Sequence, residues 1–484
     1  MSVAYPVDDL GRFGYIQELK RVLSTWQLLA YGMSYMLPIA PMAIFGAVFA
    51  ASHGMPVLAY AIGIVVLMFT AFSFSQMVKA FPLSGSVYNY VGRGISAPFG
   101  FLAGWVISLD YILVPALLYL VASVSLHGAV ATVPFLSAVP VWVWFLLFLG
   151  VNTTVNVRGI KLTARLISYT LLAELAVAAV FIGVGVWALA TGRGHLGWAA
   201  IYNPHTLSWS VVFAGTSVAL LSFLGFDGIS LLSEETKSED GKNAARRVRL
   251  AMTGALLGAG LCFVLQTVVA SMLTPDPQAL IADGDPNGVA FFVAAGVAGG
   301  TWLATLCAVA TALAWGIPDS MAAQAAISRL LYAMARDKQL PWFLAKVSRT
   351  HNVPRNAVTL VALVSLTLGL SMIIFRDDYG IPLLSSLINF GAMTAFVLLH
   401  LSVIVYYLWR RRSRNFFAHL LMPLAGATML GFVMWNATVD AQKLAAVWIG
   451  IGLLILAGMY LTGHPPKLSG GQTAQPARRV RAAV

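Results

Sequence analysis

Four carboxylates fall inside apolar runs of this chain: Asp110 in SLDYILV, Glu174 in LLAELAV, Asp227 in LGFDGIS and Asp319 in GIPDSMA. A charged side chain at the centre of a bilayer costs about 2.5–3.5 kcal/mol on insertion scales, so such residues face a cavity, a partner or a proton path. No Lys or Arg falls at comparable depth to pair with all four. Carboxylates without matching cations make a good site for an ammonium group and a poor one for another carboxylate. Each can also carry a proton. The plain alternative is a protonated carboxyl that hydrogen-bonds a neighbouring helix as packing glue.

The elements that must position these groups are transmembrane helices. Of 484 residues, 59% are apolar and only 10% charged, where a soluble globule carries about a quarter charged residues. The chain therefore reads as a polytopic membrane protein. A spanning helix needs about 20 apolar residues, and that template yields twelve spans, near 26–50, 57–80, 99–126, 139–156, 164–190, 209–233, 249–273, 300–333, 356–375, 382–408, 416–436 and 441–462. With the N-terminus inside, 27 of the 30 basic residues fall on the cytoplasmic side, leaving Arg193, Arg376 and Lys443 outside. That asymmetry is the positive-inside pattern, and it accounts for the net charge of +12 without nucleic acid. Segment 1–25 is mixed in charge and precedes a run long enough to span, so it reads as cytoplasmic rather than as a cleaved signal. The Gly-, Pro- and Arg-rich tail 464–484 is expected to be disordered, basic, cytoplasmic and in contact with lipid. Cys262 and Cys307 lie in apolar runs without metal-binding or redox spacing, so no disulfide, metal or cofactor is expected.

Breaks in two spans indicate where a cavity lies. Span 1 reads YGMSYMLPIAPMAIFG, with Pro38 and Pro41 three residues apart; each removes an N–H and crowds the preceding turn. In span 6, Gly225 and Gly228 flank Phe226 and Asp227. Irregular backbone at membrane depth is tolerated only where it lines a cavity or is buried in protein. Spans 1 and 6 occupy corresponding places in two five-span halves, and a matched pair of interrupted spans points to a transporter site. Packing glycines and a proline kink are the competing explanation for either span alone.

Five ordered motifs carry a resemblance: SFLGFDGISLLSEET, FPLSGSVYNYVGRG, GWVISLDY, SRLLYAMARD and LINFGA. Together they resemble the amino acid–polyamine–organocation superfamily, most nearly the bacterial putrescine importers, over nearly the whole chain. The resemblance implies an all-α integral membrane protein of twelve transmembrane helices with a leucine-transporter-type fold. Its inverted five-helix repeats would cover 26–208 and 209–409, with two peripheral spans in 410–463 and helices 1 and 6 broken. It further implies a secondary carrier in a bacterial inner membrane with both termini cytoplasmic. Asp227 falls where relatives carry an acid proposed to couple proton movement to gating. Ala40-Pro41-Met42 stands where many members have Gly-Ser-Gly, whose amides cradle a substrate carboxylate; Pro41 has no N–H, which weakens that cradle. Ala43 stands where putrescine importers can carry an aspartate. Glu174 lies close to where some sodium-independent relatives have a lysine, and could carry a proton or pair with another helix. Sodium coupling is disfavoured, Ser320 being one weak oxygen ligand.

The expected substrate site comprises Pro38, Ala40, Pro41, Met42, Ala43, Asp110, Tyr111, Ser222, Phe223, Gly225, Phe226 and Asp319, with Tyr111 able to stack on an alkyl-ammonium. Asp227 and Glu174 are the proton-coupling candidates. Glu234 and Glu235 could close an inner gate with Arg93, Lys161 or Arg165, although an exposed charged run contributes little energy. His53, His127, His195 and His205 lie near outer span ends, where interfacial placement explains them. The expected activity is proton-coupled uptake of a cationic amine such as putrescine, with amino acid permease or exchanger as the alternative. No GxxxxGK[ST] loop occurs, which disfavours an ATP-driven pump. The Gly-x-Gly-Asp pattern of an intramembrane protease is absent too, as Leu224 precedes Gly225. Scattered single acids suit alternating access better than a pore lined by rings of charge.

Overall fold

The computed structural model describes residues 19, 21–83, 86–130, 134–237, 242–285, 288–348, 350–375, 381–437 and 439–468. Most of segment 1–25 and the tail beyond residue 468 lie outside the described residues. In order, the helices are α1 Thr25–Met36, α2 Pro41–Ala51, α3 Pro56–Ala80, α4 Ser86–Gly94, α5 Ala97–Ala129, α6 Pro134–Ser137, α7 Val141–Arg158, α8 Ile160–Ala190, α9 Trp209–Ala219 and α10 Gly228–Leu231. They continue as α11 Lys242–Met272, α12 Pro277–Asp283, α13 Ala290–Gly299, α14 Thr301–Ala314, α15 Ser320–Arg336, α16 Arg355–Phe375, α17 Ile381–Ile404, α18 Met422–Trp435 and α19 Val439–Leu461. Among the described residues the only β-type pairing is an isolated bridge between Leu23 and Thr236.

Eleven helices are long and apolar enough to span, and α1 with α2 forms a twelfth span bent by 53°. The twelve spans therefore appear in the expected order. The largest boundary difference is at span 7, whose helix begins at Lys242 rather than near 249. The residues NAARRVR are good helix formers but polar, so a hydropathy template sees only the membrane part of that helix.

Start and break points follow local chemistry. At α1, Ser24 and Gln27 form a reciprocal capping box, Gln27 N donating to Ser24 Oγ at 3.3 Å and Ser24 N to Gln27 Oε1 at 3.0 Å. Pro41 and Pro56 sit in the first turns of α2 and α3, where a missing N–H costs nothing. α5 is the central helix: 78% of its apolar window is buried, against 11% for α19, which lies at the periphery. α5 packs on α4, α7, α14, α15, α16, α17 and α19, so Asp110 and Tyr111 are carried by the axle of the bundle.

The start of the expected disordered tail is folded. Pro466 is buried, Leu468 approaches Gly92 on α4, and Gln339 Nε2 donates to the Lys467 carbonyl at 3.3 Å. An apolar pair with a satisfied carbonyl seats these residues on the bundle despite their Gly- and Pro-rich composition.

Candidate functional site

Span 1 is broken between α1 and α2, where Leu37 adopts a positive φ of 55° and the following turn contains Pro38. The Pro38 carbonyl accepts from Gln266 Nε2 on α11 at 2.8 Å, which satisfies a group the break exposes. The amides of the break are used within it: Ala40 N donates to Leu37 O at 2.7 Å, Met42 N to Ile39 O at 2.9 Å and Ala43 N to Ala40 O at 3.1 Å. With no N–H on Pro41, none of these four residues has an amide free to hold a carboxylate.

Span 6 is interrupted as well. After α9 the chain tightens into a 3-10 turn at Leu220–Phe223, leaves helical geometry at Leu224 and turns at Gly225 with φ 109° before resuming as α10. The ring of Tyr35 from α1 lies over this turn, so close that a Cβ on Gly225 or Gly228 would overlap it. Glycine is required at Gly225 for conformation and at both positions for space. The two breaks therefore meet at Tyr35.

Span 8 has a third irregularity, a π-helical turn at Trp315–Asp319 around Pro318. Side chains of α7 satisfy two carbonyls in and just after this turn. Asn152 Nδ2 on α7 donates to Gly316 O at 2.8 Å and to Ser320 Oγ at 2.7 Å, and Asn156 Nδ2 donates to Met321 O at 3.1 Å. A wide turn of this kind commonly marks a functional position, and here it sets Asp319 on the cavity wall.

A cavity of about 40 Å³ lies between the breaks, walled by Tyr35, Ala40, Ser222, Leu224, Trp315 and Asp319 among others. That is room for a few waters. Three of its wall residues carry buried polar atoms without a hydrogen-bond partner: Tyr35 Oη, Trp315 Nε1 and Asp319 Oδ1. Asp227 is fully buried beside this cavity and accepts a hydrogen bond from Tyr111 Oη through Oδ2. Asp110 is 1% exposed, with both carboxylate oxygens unpartnered, and lies within electrostatic reach of Asp227. Glu174 is equally unpartnered and lies within reach of Asp319. Tyr35 feels Asp110, Asp227 and Asp319 at once. None of the four acids forms an ion pair among the described residues.

Of the residues expected at the substrate site, Ala40, Ser222 and Asp319 line the cavity. Pro38 and Gly225 form the adjoining breaks. Pro41 opens α2, Met42 is buried, and the Ala43 carbonyl lies near Gly288. Phe223 packs on Tyr60 and Phe263, and Phe226 on Phe74 and Phe396. Both phenylalanines thus belong to the aromatic core holding the break. Ser222 Oγ also contacts Tyr60 Oη at 3.1 Å.

At the end of the bundle rich in basic residues, two ion pairs join span 6 to α15. Glu235 pairs with Arg329 at 2.8 Å, each 1% exposed, and Glu234 pairs with Arg336 at 2.9 Å. Lys161 and Arg165 are exposed and make no ion pair among the described residues, so they take no part in these contacts. Arg93 is fully buried in α4. Arg329 and Arg336 were legible in principle: both lie in SRLLYAMARD, seven residues apart on one helical face. Beside them, Val22 N and Leu23 N donate to Glu235 O at 2.9 and 3.0 Å, and Lys237 N donates to Leu23 O at 2.9 Å.

Comparison with known proteins agrees with this architecture. A family profile described as amino acid permease matches residues 23–462. The chain is 31% identical over 456 residues to the low-affinity putrescine importer PlaP of Escherichia coli, covering 91% of this chain and 94% of that protein. It is 26% identical over 456 residues to the branched-chain amino acid permease BcaP of Lactococcus lactis, covering 90% and 93%. To the methylthioribose transporter of Bacillus subtilis it is 25% identical over 475 residues, covering 93% and 95%. A bundle of twelve spans, broken at the first and sixth around a cavity at their meeting point, is thus matched along nearly its full length by transport proteins, and the chain belongs to the amino acid permease family as a multi-pass membrane transporter.

Proposed function

We propose that this transporter takes up a cationic amine, of the putrescine class, in symport with protons across a bacterial inner membrane, with both termini in the cytoplasm. One observation carries the reading: Asp319 lines the cavity with Glu174 within its electrostatic reach, Asp110 and Asp227 lie within reach of each other, and none of the four acids has a cation partner among the described residues. A diammonium chain supplies the missing charges, and Asp319 on the wall with Tyr35 and Trp315 is placed to hold one end. An α-carboxylate finds no comparable partner, because the amides of Ala40, Met42 and Ala43 are spent within the break and Pro41 has none. The likeness to a putrescine importer supports the same reading.

Proton coupling falls to Asp227. A carboxyl at a helix break, held by Tyr111 and close to Asp110, changes its interactions with both neighbours when it gains or loses a proton. Only such a differential interaction can shift a conformational equilibrium. The test is uptake of radiolabelled putrescine into proteoliposomes with an inward proton gradient, competed by spermidine, arginine, lysine and neutral amino acids. Competition by diamines and loss of uptake with a protonophore support the proposal. Competition by α-amino acids alone would replace it with an amino acid permease.

A further inference from the structure

A second feature lies outside the transport path, on the membrane face between α3, α11 and α18. A groove of about 440 Å³ runs there, walled by Ile64, Met68 and Phe72 on α3, Thr253 on α11 and Met422 on α18. Along α3 its lining changes in one direction, from Ile64 through Phe72 to Ser75 and Gln76, and ends at Lys79. At 1.5 Å per residue, this stripe is about 22 Å long, about three quarters of a hydrocarbon core of about 30 Å. Its polar end therefore meets a headgroup layer while its apolar part lies in the hydrocarbon.

The polar end holds two cations, Lys79 from α3 and Arg249 from α11. They lie within electrostatic reach of each other, and His419 lies within reach of Lys79. Neither Lys79 nor Arg249 forms an ion pair or a side-chain hydrogen bond among the described residues. This contrasts with the basic end elsewhere, where Arg329 and Arg336 have carboxylate partners. Two like charges held together over an apolar groove repel each other unless an anion sits between them. An anion fixed to an acyl chain fits both parts of the site, since basic pockets between spans recognise acidic lipid headgroups.

We propose that this groove is a binding site for one anionic phospholipid of the surrounding leaflet, with its phosphate between Lys79 and Arg249 and an acyl chain along Ile64, Met68 and Phe72. The test is native mass spectrometry of the purified full-length protein in detergent after equilibration with equimolar phosphatidylglycerol and phosphatidylcholine. Wild type retains one phosphatidylglycerol in preference to phosphatidylcholine, and Lys79→Gln with Arg249→Gln lowers that preference by about thirty-fold, the factor expected for two surface cations. Arg355→Gln, a basic residue at the start of α16 remote from the groove, leaves it unchanged. Because Lys79 and Arg249 are not fully buried, the double variant folds; an unchanged melting temperature in lipid-free detergent verifies this. Equal retention of both lipids by wild type, or undiminished phosphatidylglycerol on the double variant, overturns the proposal. So does displacement of the lipid by millimolar inorganic phosphate, which would make the pair a site for free anions.

Discussion

The Glu235–Arg329 pair offers the sharpest quantitative test of whether a buried ion pair holds the basic end shut. Arg329 donates to Glu235 through Nε at 2.8 Å and through Nη2 at 3.5 Å, and both side chains are 1% exposed. Arg329→Gln strands a buried carboxylate without its cation, and removing one partner of a buried pair costs about 3–5 kcal/mol. That cost falls on the closed state alone, because Glu235 is solvated once this end opens. At the lower figure, the ratio of closed to open molecules drops by about a hundred-fold. The assay is modification of a reporter thiol, Ser230→Cys on α10, whose side chain is fully buried one turn before Glu234; Cys262 and Cys307 are first replaced by serine and alanine. A membrane-impermeant maleimide is applied to the basic side of inverted vesicles. Arg329→Gln should raise the labelling rate toward a hundred-fold, whereas Glu235→Gln combined with Arg329→Gln should raise it much less, since no charge is then stranded. Wild-type labelling in the single variant, at normal expression, would refute the claim that this pair closes the basic end.

Four further outcomes are expected. Asp319→Asn should weaken putrescine binding by about ten-fold or more, in keeping with loss of a charge-assisted contact of about 1.5–3 kcal/mol, as read by scintillation proximity; unchanged affinity would remove Asp319 from the site. Asp227→Asn should leave uptake no longer accelerated by an inward proton gradient, and Tyr111→Phe should alter its pH profile, because Tyr111 donates to that carboxylate; full proton-driven uptake with a normal profile in Asp227→Asn would sink the coupling role. Gly225→Ala should lower the melting temperature and abolish uptake, because φ is 109° and Tyr35 fills the space a Cβ needs, while Gly431→Ala, with nothing within 4 Å, should be nearly neutral. Asn152→Leu removes the side-chain amide donor to Gly316 O and should destabilise the protein by about 1–3 kcal/mol, measured by thermal unfolding in detergent.

Much of this architecture can be read from residue types. Pro38, Pro41 and Gly225 announce the two breaks, because a missing N–H and a positive φ are properties of the residues themselves. The four intramembrane acids stand out against an apolar background for the same reason. What holds the breaks is much harder to see. Gln266, Asn152 and Asn156 are unremarkable polar residues in apolar helices, and their role arises only when α11 and α7 cross the irregular turns. Tyr35 likewise gains its place from a contact with Gly225 that no spacing in one helix encodes. Phe223 and Phe226 illustrate the opposite difficulty: proximity in sequence to the break suggests the cavity, but the aromatic core claims both rings. His400 carries no signal of its own in the sequence, yet it is fully buried, with Nδ1 at 2.8 Å from Ser73 Oγ and Nε2 at 3.3 Å from Thr70 Oγ1, joining α17 to α3.

The short pairing of Leu23 with Thr236 has a mechanical meaning. Three backbone hydrogen bonds join the chain just before α1 to the chain just after α10, so the two interrupted spans are tied at one end like the arms of a pair of tongs. Neither arm can swing at that end without carrying the other or breaking the tie, at about 0.5–1.5 kcal/mol for each hydrogen bond. The tie thus couples the ends of the two interrupted spans, and a displacement of one loads the other through these bonds.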